Sequence, residues 1–254
     1  NHKQESTMLI SHIIPFFHKS QIFRQLLPLS DCFKLDTSEL VLVLDDPDEE
    51  RDVLEIVQAH PEIKFRVIIN DWKHEWRPPC VAINVGLRHA EAPHVIVHSP
   101  ETMIVLPHRN YLVELLGRDW RTMYSGILWN VGDIQPEDNE DLVRMKMMVA
   151  VATRRPAYSG FLLVHKYSLE TICGYDESRT AWGPDDDDVR LRLMQIGTKY
   201  LHDPNIRVFH SWHDDVDRSY VKGSEPDKNL VVLHAQRDTW GKAFHRVTWD
   251  WRKL

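Results

Sequence analysis

Hydrophobic runs and amphipathic stretches alternate along the first hundred residues. Residues 8–17 (MLISHIIPFF) are rich in apolar and aromatic side chains and reach a proline near their end, which predicts a strand closing in a turn. In 19–29 (KSQIFRQLLPL) the apolar residues recur at helical spacing. Residues 39–46 (ELVLVLDD) have the continuous apolar pattern of a short buried strand that ends in two acids. Residues 48–61 (DEERDVLEIVQAHP) return to helical periodicity, with acids at the start, where the helix dipole favours them. A third strand is predicted at 63–70 (IKFRVIIN), a helix after the prolines of 78–93, and a fourth strand at 94–101 (HVIVHSPE). Strands separated by single helices predict a parallel sheet covered on both faces. Ligands of such sheets sit beyond the carboxyl ends of the strands. Those ends carry residues 15–19, 45–46, 70–71 and 99–101, so their acids are candidates for one cleft.

The second half is less regular. Residues 135–141 (QPEDNED) read as a polar loop, and 142–156 (LVRMKMMVAVATRRP) as a methionine-rich helix used for packing. No internal repeat stands out. Residues 186–196 have the pattern of a helix, with Val189, Leu191, Leu193 and Ile196 among its apolar positions and Gly197 placed as the glycine that ends it. The tail at 238–254 (DTWGKAFHRVTWDWRKL) is read as a helix closing over the sheet.

Composition narrows the function. A net charge of −7 is ordinary for an enzyme and argues against a general nucleic-acid binder, which would show a basic face. Three widely spaced cysteines without a CxxC pair read as reduced thiols in a cytoplasmic setting. No stretch reaches the ~18 apolar residues of a membrane span. Nine tryptophans are many, and tryptophans outside a core often line carbohydrate sites.

The chemistry concentrates in WGPDDDDVRLRLMQIG (182–197). Acids in a first helical turn gain roughly 0.3–1 kcal/mol each from the dipole, and a cap needs one or two of them. Four exceed what capping explains. Around them lie Gly160, GYDE (174–177), WGPDDDD (182–188), Arg192–Leu193 and FHSWH (209–213). Together these resemble the GT-A fold sugar-nucleotide glycosyltransferases, and more narrowly the inverting β-1,4-galactosyltransferase family with its C-terminal galactosyltransferase module. IIPFFHK (13–19) is similar to that family's first strand and loop, and INVGLRHA (83–90), which contains Asn84, to its LNVGFQEA segment. The metal-binding DxD falls on Ser99-Pro100-Glu101, where Glu101 replaces the last Asp and Ser99 supplies no carboxylate. The family's second glycine is Pro184 and its Glu is Asp185.

The resemblance implies a single GT-A domain, an α/β sandwich on a mostly parallel Rossmann-like sheet. Residues 8–110 would form the nucleotide-sugar half, and 111–254 the acceptor and catalytic half. It implies an inverting transfer of a hexose or N-acetylhexosamine from a UDP-sugar to a saccharide acceptor, assisted by Mn²⁺ or Mg²⁺. Glu101 and His210 are the metal-ligand candidates, with His213 a second choice. Asp186 is the implied general base, and Asp187 would orient the acceptor. Pro15, Phe16 and Phe17 are placed to flank a base, and Asp45 or Asp46 to accept from a uracil N–H. Asn84 and Ser99 belong to the same donor site, Trp182 would stack on a sugar, and Gly160 would let backbone approach the donor.

Three rivals stand beside this: a GT-A enzyme of another family building a surface polysaccharide, a retaining transferase, and a catalytically silent carbohydrate-binding module. A two-metal nuclease or phosphatase could also use clustered acids, but gives the WG before them no role. The partners expected are a nucleotide sugar and a saccharide acceptor, with no nucleic acid. The expected location is the cytoplasm, with membrane association, or the Golgi lumen for a chain trimmed of an anchor.

Overall fold

The continuous apolar runs of the first half become the centre of one sheet. In the computed structural model, which describes residues 8–71, 79–135, 137–156, 161–179, 185–211, 237–243 and 245–253, β1 (Ile10–Phe16) lies between two parallel neighbours, β2 (Ser38–Leu44) and β4 (His94–Val97). β3 (Phe65–Asn70) extends the parallel block beyond β2. All seven residues of β2 and all six of β3 are buried, as strands covered on both faces require. The connecting helices are α1 (Ser20–Leu26), α2 (Glu50–Ala59) and α3 (Cys80–His89).

Beyond β4 the sheet becomes mixed. β5 (Thr102–Val105) and α4 (Tyr111–Leu116) precede the long β6 (Thr122–Val131). Then come α5 (Glu140–Met148), β7 (Val151–Pro156), β8 (Leu162–His165), α6 (Lys166–Thr171), α7 (Asp185–Gln195), β9 (Lys199–Ser211) and β10 (His245–Asp250). The strand order is β10-β3-β2-β1-β4-β8-β6-β9-β5, with β7 paired to β6. β8 lies between β4 and β6 and runs antiparallel to both, whereas β6 and β9 run parallel.

Side-chain alternation on β1 divides the core. Ile10, Ile14 and Phe16 face α1, α2 and α4 through Phe23, Val53, Ile56 and Leu112. Ile13 faces the opposite layer, where Ile83 and Leu87 of α3, Leu169 of α6, and Val189 and Leu193 of α7 pack. The strand order reverses at β1, so the crevice between the C-terminal ends of β1 and β4 is the topological switch point.

Two expectations change. The methionine-rich stretch is a helix only to Met148 and then becomes β7, which pairs antiparallel with β6. The tail is a strand rather than a closing helix. β10 pairs antiparallel with β3, from His245 opposite Asn70 to Asp250 opposite Arg66. Its Val, Thr and Trp suit a strand, and it covers a sheet edge that would otherwise expose unpaired backbone groups. The three cysteines, Cys32, Cys80 and Cys173, are buried free thiols. Among the described residues, no helix is long and apolar enough to cross a membrane.

Histidines are built into this core in pairs. His12 and His98 lie edge to face at 5.6 Å, and His94 and His165 at 4.9 Å. His89 and His245 share a hydrogen bond of 2.8 Å between their Nε2 atoms. Burial holds His89, His94 and His98 down at about 4, and His12 well below the usual imidazole value. An unfolded chain takes up protons at these sites near pH 6.5, while the folded chain does not until about pH 4. Stability contributed by the neutral rings is therefore lost as pH falls from about 6.5 towards 4. Urea denaturation is expected to give a lower midpoint at pH 5 than at pH 7.5, with an unchanged slope. The raised carboxyls of Asp185 and Asp186 act in the opposite direction, so the comparison is made in the Asp185→Asn/Asp186→Asn background, where equal midpoints would contradict the burial of neutral imidazoles.

Candidate active site

The C-terminal ends of β1, β2 and β3 converge in a hydrogen-bonded set of polar groups. Asp45 follows β2, its N–H donating to the Phe16 carbonyl at 2.9 Å, and its Oδ1 accepts from the Asn70 amide at 2.5 Å. Asp46 accepts from the Asp48 N–H at 2.9 Å, capping a short turn, and its Oδ2 meets the His18 ring at 2.8 Å. His18 has a positive φ of 54° and stacks on Phe17 at 4.1 Å. The buried Glu49 carboxylate accepts from the backbone N–H groups of His18 (2.6 Å) and Lys19 (3.0 Å). Burial pushes this carboxyl up, and those N–H bonds oppose the rise. Glu49, His18 and Asn70 were not legible as site residues. The acid run 45–50 hides which carboxylate turns inward, and nothing in the order of residues marks His18 for a left-handed backbone.

Pro15 and Phe17 are half-buried at this end of the sheet. Phe16 is not available to flank a base. The period of two that turns Pro15 and Phe17 outward turns Phe16 into the core, 1% exposed, against Phe23 at 4.9 Å. Asn84 also has a different task from the expected donor contact. Its amide donates to the Tyr175 carbonyl and to Glu177 Oε1, each at 2.8 Å, and its oxygen accepts from the Tyr175 N–H at 2.8 Å. It holds the turn of 174–177 against α3. Gly174 is at φ 71°, where a Cβ would lie 2.2 Å from Asn84 Oδ1, so this turn requires glycine.

The four aspartates occupy the first turn of α7 and have separate roles. Asp188 is buried and takes two bonds from Arg192, from Nε at 2.9 Å and Nη2 at 2.7 Å. The fully buried Arg192 also donates to the carbonyls of Ile172 (3.1 Å) and Gly174 (2.8 Å). Asp187 accepts from Arg190 at 2.9 Å. Asp185 and Asp186 are half-buried. Burial first, then the negative charge of Asp185 and Asp187, pushes the Asp186 carboxyl well above the usual range. Asp185 is pushed up to about 6, mainly by burial, with Arg179 opposing. These two acids also raise the buried Cys80 thiol and Tyr175 hydroxyl, after burial itself. Cys80 opens α3, next after β3, so the acids stand at the same end of the sheet as Asp45 and Asn70. The helix ends at Gly197 as expected: at φ 88°, its N–H bonds the Met194 carbonyl, and the Thr198 N–H that of Leu193.

The third group lies where β4 gives way to β5. The Ser99 carbonyl accepts from the Thr102 N–H (3.2 Å) and hydroxyl (2.6 Å), closing the turn that delivers Glu101 to β5. β5 pairs with β9, Thr102 opposite His210, and this register sets Glu101 Oε1 3.8 Å from His210 Nε2. The two metal-ligand candidates, far apart in sequence, are thus neighbours. Among the described residues, no group of three or more His, Cys, Asp or Glu gathers into a metal site. Gly160, Trp182 and His213 lie outside the described residues.

The division of labour among the acids is measurable. Asp188→Ala leaves a buried guanidinium without its carboxylate and is expected to cost about 3–5 kcal/mol. Asp187→Ala removes a half-exposed pair and should cost less than about 0.5 kcal/mol. Chemical denaturation of both variants checks this, and a similar loss in the two would refute the separation.

No protein-family model matches the sequence, and no curated protein matches it either. Solved structures do. A mannosyltransferase from Pyrobaculum calidifontis, solved with GDP-Man and Mn²⁺, superposes with a TM-score of 0.58 at 15% identity, over 91% of this chain and 69% of that one. GalNAc-T7, solved with UDP, GalNAc and Mn²⁺, gives 0.56 at 14% identity, over 93% of this chain. The chain spans only 49% of the length of GalNAc-T7. At such identities the likeness is one of fold. The shared architecture is the GT-A fold, and this chain adopts it.

Proposed function

We propose that the chain is a metal-dependent glycosyltransferase that moves a hexose or N-acetylhexosamine from a UDP-sugar to a saccharide acceptor with inversion. The observation that carries this reading is the state of Asp186. It is a half-buried carboxyl at the head of α7, at the carboxyl end of the sheet, raised by burial and by two neighbouring acids. A carboxylate so placed is a stronger base once ionised than a solvated one. Two of its three neighbours in the cluster are already paired, Asp188 to Arg192 and Asp187 through one oxygen to Arg190.

Glu101 and His210 pair a carboxylate oxygen with an imidazole nitrogen, a donor set that suits Mn²⁺. A divalent cation held there supplies Lewis-acid stabilisation to a leaving diphosphate. Both similar structures contain Mn²⁺ with a nucleotide or nucleotide sugar, which supports the assignment. Asp186 accepts the proton of the acceptor hydroxyl as its oxygen attacks the anomeric carbon. The bond from that carbon to the phosphate oxygen breaks on the opposite side, and the electron pair leaves with the nucleoside diphosphate. A single displacement inverts the centre. Asp187 stays beside the base to orient the acceptor. Asp45 serves the nucleobase, and the half-buried Pro15 and Phe17 bound its place.

Calorimetry of UDP and GDP with and without Mn²⁺, on wild type and Glu101→Ala, tests the donor site. Metal-dependent binding lost in the variant is expected, and no binding of either nucleotide would refute the reading. Asp186→Asn should lower turnover about 10²–10⁴-fold while nucleotide affinity holds. Because Asp186 must be ionised to act and its carboxyl is held well above the usual range, kcat/KM should rise with pH above the range in which an ordinary carboxylate has finished titrating. An Asn variant with undiminished turnover would remove Asp186 from the mechanism. Retention at the anomeric carbon, read by NMR of the product, would replace inversion with a retaining transfer.

A further inference from the structure

The polar ends of β1, β2 and β3 are fastened from outside by β10. Arg246 of β10 lies opposite Ile69, one residue before the end of β3. Its guanidinium donates from Nε to Asp71 Oδ1 at 2.8 Å, and in a fork to Glu50, Nη1 to Oε1 at 3.1 Å and Nη2 to Oε2 at 2.7 Å. Asp71 directly follows Asn70, whose amide holds Asp45. Glu50 directly follows Glu49, whose carboxylate holds the N–H groups of His18 and Lys19. One side chain therefore ties the β2–α2 connection to the end of β3, and through their neighbours reaches the loop after β1.

We propose that Arg246 is a positioning residue for nucleotide binding, acting by fixing the loops that carry Asp45, Asn70 and Glu49. This rests on the glycosyltransferase reading. A bidentate guanidinium–carboxylate pair fixes orientation as well as distance, which a lysine does not reproduce. Arg252, on the turn after the same strand, is an internal comparison. It is 43% exposed against 45% for Arg246, and it too is paired twice, to Asp250 and Glu91. Asp250 lies opposite Arg66, near the start of β3, so Arg252 serves the opposite end of the sheet.

The test measures Kd for UDP and GDP in the presence of Mn²⁺, then donor KM and kcat with UDP-galactose and GDP-mannose. Arg246→Ala is expected to raise Kd and donor KM about 5–10-fold, with kcat changed less than about twofold. Arg246→Lys should fall between it and wild type. Glu50→Gln, which weakens the fork without altering β10, should move Kd in the same direction and keeps the test valid if Arg246→Ala does not fold. Arg252→Ala should leave Kd within about twofold. If wild type binds neither nucleotide, the glycosyltransferase reading falls. If wild type binds and Arg246→Ala binds equally well, the positioning role falls. Equal weakening by Arg246→Ala and Arg252→Ala would overturn it as well, since the effect would then belong to the strand as a whole.

Discussion

The buried guanidinium of Arg192 organises the catalytic half of the molecule. It spends its donors on Asp188, four residues earlier in α7, and on the carbonyls of Ile172 and Gly174. The first pair fixes the start of the helix. The carbonyl bonds fix that helix against the turn after α6. The same turn is held from the other side by Asn84, which grips Tyr175 and Glu177 from α3. Glu177 in turn accepts the Gly241 N–H at 2.6 Å, which brings in the segment leading to β10. A charge in the interior tolerates little displacement, because any loosening leaves it desolvated and unpaired. The position of Asp185 and Asp186 is thus set by groups that never face the cleft.

This explains why a chain tolerates four adjacent acids. Each meets a different environment. Two are neutralised by arginines of their own helix at i+3 and i+4. The other two stay close together, and burial, ahead of repulsion from neighbouring carboxylates, is the source of their raised proton affinity. The cost of crowding is met by Arg192 and Arg190, and what remains uncompensated is concentrated on Asp186.

Much of this was legible in the order of residues. Continuous apolar runs gave β1 to β4, and the period of 3.6 gave α2 and α3, because each pattern meets the same environment along its length. The acid block, Gly197 and the pairing of Glu101 with His210 also followed, the last through a resemblance rather than through spacing. Other features depended on partners that no local pattern encodes. Asn84 looked like a donor contact because its segment matched one, yet its amide is saturated by a turn ninety residues away. Phe16 looked available beside Pro15 and Phe17 until the alternation of β1 turned it inward. The tail looked helical because its apolar residues fit either period, and only the open edge of β3 decides in favour of a strand.

That edge has a consequence for how the molecule is made. Arg246 and Asp71 are 175 residues apart in sequence. During synthesis β3 emerges well before β10, and its outer backbone groups wait for a partner until about 175 further residues have been translated. An unpaired, largely apolar strand is a template for other chains. Contacts of such separation also close slowly. The nascent protein is therefore most exposed to self-association in the interval between the emergence of β3 and the docking of β10, when a chaperone able to shield one sheet edge would matter most.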